Sequence, residues 1–148
     1  MNVELVLNGR PAVLEVRSDE MLLAALRRAG LLSVRETCAI GVCGACTVLV
    51  DGEAVTGCLT LAAQAAGREV TTVEGLANDP VQRAFAEAHG YQCGWCTPGF
   101  VLATKWLLET RDAGTPISDE EIAEGLGGNL CRCGSYVKIA AAVRRCAS

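Results

Sequence analysis

The sequence is poor in aromatic residues, histidine and positive charge, and each shortage excludes a class of function. Aromatic residues make up 4% of the chain while hydrophobic residues reach 51%, so the core consists mainly of Ala, Val and Leu. The single histidine, His89, has no convincing partner for a catalytic triad, and a Rieske centre needs two histidines per cluster. The net charge of −4 argues against a nucleic-acid or anionic-membrane partner.

Targeting, membrane-spanning and nucleotide-binding motifs are also missing. No basic region followed by an apolar core is present in the first residues, MNVELVLNGRPAVLEV, as a signal peptide requires. No apolar run approaches the length of a membrane span, and neither a G-x-G-x-x-G motif nor a P-loop occurs. These absences predict a cytoplasmic protein, in which structural disulfides are uncommon. The nine cysteines therefore indicate metal binding.

The residue pattern changes near residues 74 to 80, which predicts two small domains, 1–76 and 77–148. The first is expected to be a small sheet packed on one helix. Its predicted elements are a hairpin over 3–16 turning at Asn8-Gly9, a helix capped by Ser18 and closed by Gly30, and strands at 47–50 and 70–73. A second hairpin turn is predicted at Asp51-Gly52. The second is expected to be all helical. Its helices are predicted at 80–89, at 99–109, after a capping box at Ser118, and at 139–146.

Four cysteines fall within a stretch of little more than twenty residues, TCAIGVCGACTVLVDGEAVTGC. Disulfides, zinc and iron held by sulfur all use such clusters. The spacing Cys38-x4-Cys43-x2-Cys46-x11-Cys58 is the plant-type [2Fe–2S] arrangement. Zinc sites tend instead to combine two separate pairs of ligands, each with the C-x2-4-C spacing. Gly41 and Gly44 allow the backbone to wrap closely and to point N–H groups at sulfur, so this set predicts an iron–sulfur cluster.

The second set combines Cys93-x2-Cys96 with Cys131-x-Cys133 far downstream. This spacing alone is compatible with zinc as well as iron. Glycines, whose backbone can adopt positive φ angles, lie next to these cysteines, with Gly94 on one side and Gly127-Gly128 on the other. Their presence favours a second iron–sulfur cluster. Cys146 is left over and is predicted to be a small buried hydrophobe. Trp95 is expected either to shield the second cluster from water or to pack at a subunit interface.

Taken together, the motifs resemble the small iron–sulfur subunit of molybdenum hydroxylases, the relatives of xanthine dehydrogenase, aldehyde oxidoreductase and carbon monoxide dehydrogenase. The resemblance rests on three blocks in the family's order, RETCAIGVCGACTVLVDGEAVTGCL, QCGWCTPGF and GGNLCRC. It implies an α+β fold, with an N-terminal ferredoxin-like β-grasp domain followed by an all-α four-helix [2Fe–2S] domain. It also implies an electron-transfer role beside a large molybdopterin-binding subunit and a medium FAD-binding subunit.

The resemblance assigns roles residue by residue. It implies that the distal cluster is bound by Cys38, Cys43, Cys46 and Cys58, and the proximal cluster by Cys93, Cys96, Cys131 and Cys133. Gln92 matches the glutamine that reaches toward the pterin, and Cys133 matches the ligand nearest to the pterin. One departure is visible. Many relatives continue C-R-C-T-G-Y, whereas this chain has Gly134 and Ser135 before Tyr136.

Two other classes of function remain open from the residues alone. A free ferredoxin-like carrier would dock transiently with several enzymes, and the high hydrophobic content argues against it. A zinc-stabilised interaction module would have no redox role and would be colourless. Co-purification with a large molybdenum subunit distinguishes the first alternative from the predicted function, and metal analysis distinguishes the second.

Overall fold

The computed structural model describes residues 1–147, which form a five-stranded sheet with one helix followed by four further helices. The strands are β1 (Asn2–Leu7), β2 (Arg10–Glu15), β3 (Thr47–Val50), β4 (Glu53–Thr56) and β5 (Glu69–Thr71). The helices are α1 (Leu22–Arg28), α2 (Pro80–Glu87), α3 (Thr97–Thr110), α4 (Asp119–Leu126) and α5 (Tyr136–Ala147). Among these helices, none has the length and apolar character needed to cross a membrane.

The sheet has the order β2-β1-β5-β3-β4, with β1 and β5 parallel and the other neighbours antiparallel. The predicted hairpin turn is confirmed, since Asn8 and Gly9 both have positive φ angles, 52° and 76°. Asp51 and Gly52 repeat this geometry between β3 and β4, with φ angles of 50° and 84°. Two consecutive positive φ angles match the twist of antiparallel strands, which explains why both turns were readable from the sequence.

Strand β3 connects the cores of the two halves. All four of its residues are buried, and its side chains alternate between the two faces of the sheet. Val48 and Val50 pack with α1, whereas Leu49 packs into the helical core that contains Phe85 and Phe100. Both faces of this strand are therefore covered, which accounts for its unbroken β-branched and apolar run.

The predicted cap of α1 is wrong. The helix starts at Leu22, and the preceding Met21 makes no side-chain capping bond. Its first N–H groups are satisfied instead by carbonyls from the loop after β4, with Leu22 N donating to Thr60 O at 2.7 Å and Leu23 N to Gly57 O at 2.9 Å. Partners this distant in sequence replace the local cap that Ser18 was expected to supply.

In the helical half, residues next to the helix starts cap α2 and α4 locally, unlike the start of α1. Asp79 accepts a hydrogen bond from Val81 N at 2.9 Å at the head of α2. The capping box of α4 is confirmed by Ser118 and Glu121, whose side chains accept from each other's backbone N–H groups at 3.1 and 2.8 Å. Helices α3 and α5 begin two and three residues earlier than the residue pattern predicted, at Thr97 and Tyr136. The helical character of this half is thus confirmed, with shifts confined to helix ends.

A buried polar contact joins the two halves beside β3. The side chain of Asn129 is 7% exposed and donates to Gly44 O at 2.9 Å and to Thr47 Oγ1 at 3.3 Å. Next to it, Leu130 N donates to Cys43 O at 2.9 Å. The segment before α5 is thereby fixed against the segment before β3.

We expect Asn129→Ala to lower the free energy of unfolding by about 1–3 kcal/mol, because it removes two buried hydrogen bonds and leaves the site imperfectly filled. Urea-induced unfolding of the iron-loaded protein measures this loss. Asn2→Ala, at an exposed position of β1, is the matched control and should change the value by less than about 0.5 kcal/mol. Equal effects of the two substitutions would contradict the structural role of Asn129.

Candidate metal centres

The first cysteine set is assembled by one irregular loop and one hairpin. Cys38, Cys43 and Cys46 lie between α1 and β3, where the chain has no regular secondary structure. Cys58 follows β4, and the antiparallel pairing of β3 with β4 returns it to Cys46. A hydrogen bond of 3.1 Å from Gly57 N to Cys46 O closes this arrangement. The long spacing between Cys46 and Cys58 therefore corresponds to the two strands of this hairpin, β3 and β4.

The backbone of this loop is shaped to receive negative charge on sulfur. Ala39, Gly41 and Gly44 have positive φ angles of 56°, 76° and 66°. Backbone N–H groups consequently point inward, and hydrogen bonds first from Ile40 N–H and then from Cys43 N–H lower the pKa of Cys38 to about 6. Successive N–H groups of this kind form an anion-binding concavity, as a thiolate-ligated cluster requires.

Burial raises the pKa of another cysteine in the same loop. Cys46 is 2% exposed, and burial, followed by the contact with the Cys58 thiol, raises the pKa of Cys46 to about 12. Such a thiol does not ionise at neutral pH without a compensating cation. A bound metal supplies this compensation, since a coordinating thiol is deprotonated outright. The donor set thus fits a metal-bound group better than four free thiols.

The second set is assembled from two connections in the helical half. Cys93 and Cys96 lie between α2 and α3, while Cys131 and Cys133 lie between α4 and α5. Hydrogen bonds from Trp95 N–H and then from the Cys133 thiol lower the pKa of Cys93. Burial, followed by contact with the Cys131 thiol, raises the pKa of Cys96 to about 12. The same combination of aimed N–H groups and desolvated sulfur therefore occurs in both sets.

At Cys131, burial and hydrogen bonds act on the pKa in opposite directions. It is 8% exposed, and burial alone would raise its pKa. Hydrogen bonds outweigh burial and lower the pKa of Cys131, and the N–H group of Ser135 is the largest contributor. Ser135 N lies 3.4 Å from Cys131 Sγ.

In each set the thiols affect one another's pKa most strongly in two pairs. The pairs are Cys38 with Cys43, Cys46 with Cys58, Cys93 with Cys133, and Cys96 with Cys131. Within residues 1–147, no three His, Cys, Asp or Glu side chains form a group suited to a single metal ion. Two thiols for each of two irons is the donor arrangement of a four-cysteine [2Fe–2S] cluster, and the paired thiols fit that group.

Part of the second cysteine set is exposed to solvent. Cys93 and Cys133 are exposed, whereas Cys131 is buried. Gln92 is also exposed, and its Nε2 donates to the Cys133 carbonyl at 2.9 Å. Gln92 therefore supports the exposed end of this loop. Outside both sets, Cys146 is half-buried on α5, and His89 follows the end of α2.

Trp95 connects the two sets, which neither sequence-based interpretation of this residue anticipated. Its Nε1 donates to Thr37 Oγ1 at 2.8 Å, directly before Cys38. The Arg35 guanidinium lies 4.7 Å from the Trp95 ring centroid, a cation–π distance. Arg35 and Thr37 were not recognised as functional residues because their partner lies far along the chain.

Glycines allow the two loops to approach closely. A Cβ atom at Gly44 would lie 2.4 Å from the Gly128 carbonyl oxygen and 2.6 Å from the Asn129 side-chain nitrogen. A Cβ atom at Gly99 would lie 2.4 Å from the Gly44 carbonyl oxygen. Any side chain at these positions would force the cysteine loops apart.

Two family models match the chain. Residues 5–77 match the 2Fe-2S iron-sulfur cluster binding domain, and residues 72–144 match the [2Fe-2S] binding domain. The xanthine dehydrogenase iron-sulfur-binding subunit of Escherichia coli O157:H7 is 45% identical, covering 99% of this chain and 94% of its own length. The nicotinate dehydrogenase small FeS subunit of Eubacterium barkeri is 45% identical, with 100% and 98% covered.

Solved structures agree with this fold. Quinoline 2-oxidoreductase from Pseudomonas putida 86 contains a chain that superposes with a TM-score of 0.90 at 39% identity, covering 99% of this chain and 93% of that one. The aldehyde oxidoreductase from Desulfovibrio gigas gives a TM-score of 0.91 at 35% identity. There the match covers 99% of this chain but 17% of the longer one.

We expect Gly44→Ala to lose iron, because the added methyl group collides with backbone and prevents the two cysteine loops from closing together. Iron per chain and visible absorbance after purification measure this loss. Gly52→Ala is the matched control, since Gly52 also has a positive φ but a Cβ there meets nothing within 4 Å. Backbone strain should lower the stability of Gly52→Ala by about 1–2 kcal/mol, but this variant should retain its iron. Equal iron contents in both variants would contradict the packing argument.

Proposed function

Because this chain belongs to the family of small [2Fe–2S] subunits of molybdenum hydroxylases, we propose that it relays single electrons within such a complex. The electrons pass from the molybdenum cofactor of a large subunit to the proximal cluster, then to the distal cluster, and finally to a flavin subunit or an external acceptor. A [2Fe–2S] cluster supplies a centre that gains and loses one electron at a time. No substrate chemistry is assigned to this chain.

The observation that carries the proposal is the direct contact between the two cysteine loops. The hydrogen bond from Leu130 N to Cys43 O joins a residue adjacent to Cys131 with a residue of the first set. Trp95 and Thr37 make a second connection between the same loops. Two cysteine sets held this closely by the chain itself suit electron transfer from one to the other.

The proposed ligands follow from the paired thiols. We assign the distal cluster to Cys38, Cys43, Cys46 and Cys58, within residues 1–76. We assign the proximal cluster to Cys93, Cys96, Cys131 and Cys133, within residues 77–148. The inward N–H groups around Cys38 and Cys93 support both assignments, because they stabilise negative charge on sulfur.

Electron entry is proposed at Cys133, which matches the ligand nearest to the pterin and is exposed, as Cys93 is, while Cys131 is buried. Gln92 holds the Cys133 carbonyl and is proposed to orient this loop toward the pterin of the large subunit. Exposed apolar side chains adjoin the site, with Leu130 at 48% and Val137 at 84%. Apolar surface of this kind is suited to burial against a partner subunit.

A different apolar group adjoins the first loop and is proposed to face the flavin subunit or acceptor. Ile40, Val42 and Leu59 are each more than half exposed, at 68%, 57% and 60%. The two cysteine sets would then have separate docking surfaces. A cytoplasmic location is also proposed, since none of the nine described cysteines forms a disulfide, and a reducing compartment favours this state.

The purified complex should contain about four irons per copy of this chain and show two distinct [2Fe–2S] signals in EPR after dithionite reduction. Iron, sulfide and molybdenum are to be counted on the same sample. Molybdenum in that sample would support the hydroxylase assignment, and a stable iron-loaded monomer without partners would favour a free carrier instead. A colourless, zinc-containing protein would contradict the relay altogether.

We expect Cys133→Ser to disturb the proximal cluster and stop reduction of the chain by substrate, while the distal EPR signal is retained. Cys146→Ser is the matched control, because Cys146 belongs to neither proposed ligand set, and both signals should survive in it. EPR spectra after substrate addition and after dithionite addition separate electron entry from cluster assembly. Unchanged substrate-driven reduction in Cys133→Ser would contradict the proposed point of entry.

A further inference from the structure

Ser135 lies in the turn between Cys133 and α5 and is 3% exposed. Both of its backbone groups are used. Its N–H donates to Cys131 Sγ at 3.4 Å, and its carbonyl accepts from Ile139 N at 2.9 Å to start the helix. Its hydroxyl is different, since this buried oxygen has no hydrogen-bond partner among the described residues. The side chain therefore serves neither the turn nor the helix.

This unused hydroxyl is unexpected for its position. Serine directly before a helix normally accepts a hydrogen bond from an N–H group of the first turn. Ser118 does so at the head of α4, where its Oγ accepts from Glu121 N at 3.1 Å. Ser135 stands in the equivalent place before α5 without capping it. A buried hydroxyl without a partner costs free energy, so an acceptor that becomes strong only when the cluster is bound would explain it.

The sulfur of Cys131 is the acceptor in reach. The Ser135 hydroxyl contributes to the lowered pKa of Cys131, although it makes no well-formed hydrogen bond to the uncharged thiol. The N–H group of the same residue already points at the same atom. The N–H of Cys131 is committed elsewhere, since it donates to the Tyr136 hydroxyl at 2.8 Å. A thiolate bound to iron is a stronger acceptor than a thiol, because charge-assisted hydrogen bonds are shorter and stronger than neutral ones.

We propose that the Ser135 hydroxyl donates a hydrogen bond to Cys131 Sγ in the iron-loaded protein and thereby raises the reduction potential of the proximal cluster. Ser135 is thus a positioning and tuning residue rather than a ligand. The inference rests on the proposed assignment of Cys131 as a ligand. Reduction adds one electron, makes or breaks no bond at Ser135, and increases the negative charge on sulfur. A donor at that sulfur stabilises the reduced form more than the oxidised form.

A higher potential at this cluster favours electron entry from the partner subunit. In the iron-loaded protein Cys131 would then accept from two donors of the same residue, the Ser135 N–H and the Ser135 hydroxyl. The proximal potential of this chain is accordingly expected to lie above that of a variant with the backbone donor alone.

The test is an EPR-monitored redox titration of the purified complex carrying Ser135→Ala or Ser135→Gly. Both variants remove the hydroxyl and keep the backbone N–H, and glycine fits the space that serine leaves. At a fixed potential near the wild-type midpoint, the ratio of reduced to oxidised proximal cluster should fall about tenfold, which is about 59 mV for a one-electron couple. The distal cluster, titrated in the same sample, should keep its midpoint.

Two further variants serve as controls. Ser135→Thr retains a hydroxyl and should titrate close to the wild type. Thr104→Val removes another buried hydroxyl that has no hydrogen-bond partner among the described residues, this one within α3, and should leave both midpoints unchanged. A shift shared by Thr104→Val would show a general effect of core perturbation and would overturn the proposal.

The remaining outcomes are also decisive. A wild-type proximal midpoint in the hydroxyl-free variants would overturn the inference while both clusters remained assigned. Loss of the proximal signal in both Ala and Gly variants, with retention in Thr, would also overturn it, because Ser135 would then be needed for assembly rather than tuning. An error in the ligand assignment would appear elsewhere, as an intact proximal signal in Cys131→Ser.

Discussion

The structure depends on the close approach of two loops that each carry cysteines and that come from opposite halves of the chain. Gly44 and Gly99 leave no space for a Cβ atom between them, and Asn129 fills the remaining gap with hydrogen bonds. The sheet and the helices then serve mainly to present these loops. Strand β3 is buried on both faces because it lies directly beneath the contact, with one core on each side.

Much of this arrangement could be predicted because the information was local. Consecutive residues suited to positive φ gave the turns at Asn8-Gly9 and Asp51-Gly52, and Ser118 with Glu121 gave the start of α4. The cysteine spacing indicated clusters for the same reason, since three of the four residues in the first set lie in one loop. The fold class and the presence of two [2Fe–2S]-binding domains followed from the blocks around these cysteines, and the matched families agree.

What the sequence could not provide were partners separated by large distances along the chain. The start of α1 depends on the carbonyls of Gly57 and Thr60 rather than on Ser18. The ring of Trp95 reaches Thr37 and stacks with Arg35, which no spacing rule relates to it. The unused hydroxyl of Ser135 is likewise visible only in three dimensions, because its sequence position suggests an ordinary helix cap.

The two cysteine sets differ in how much chain they tie together. In the first, the β3–β4 hairpin already places Cys58 beside Cys46, so the proposed ligation would close a short segment that the sheet already holds. In the second, the paired residues Cys96 and Cys131 flank α3 and α4, and no strand pairing holds them. Under the proposed ligand assignment, iron bound there would join the two ends of the segment that contains α3 and α4, and the entropy of an open loop grows with its length. We therefore expect loss of iron to be more costly to the order of the helical half than to that of the sheet.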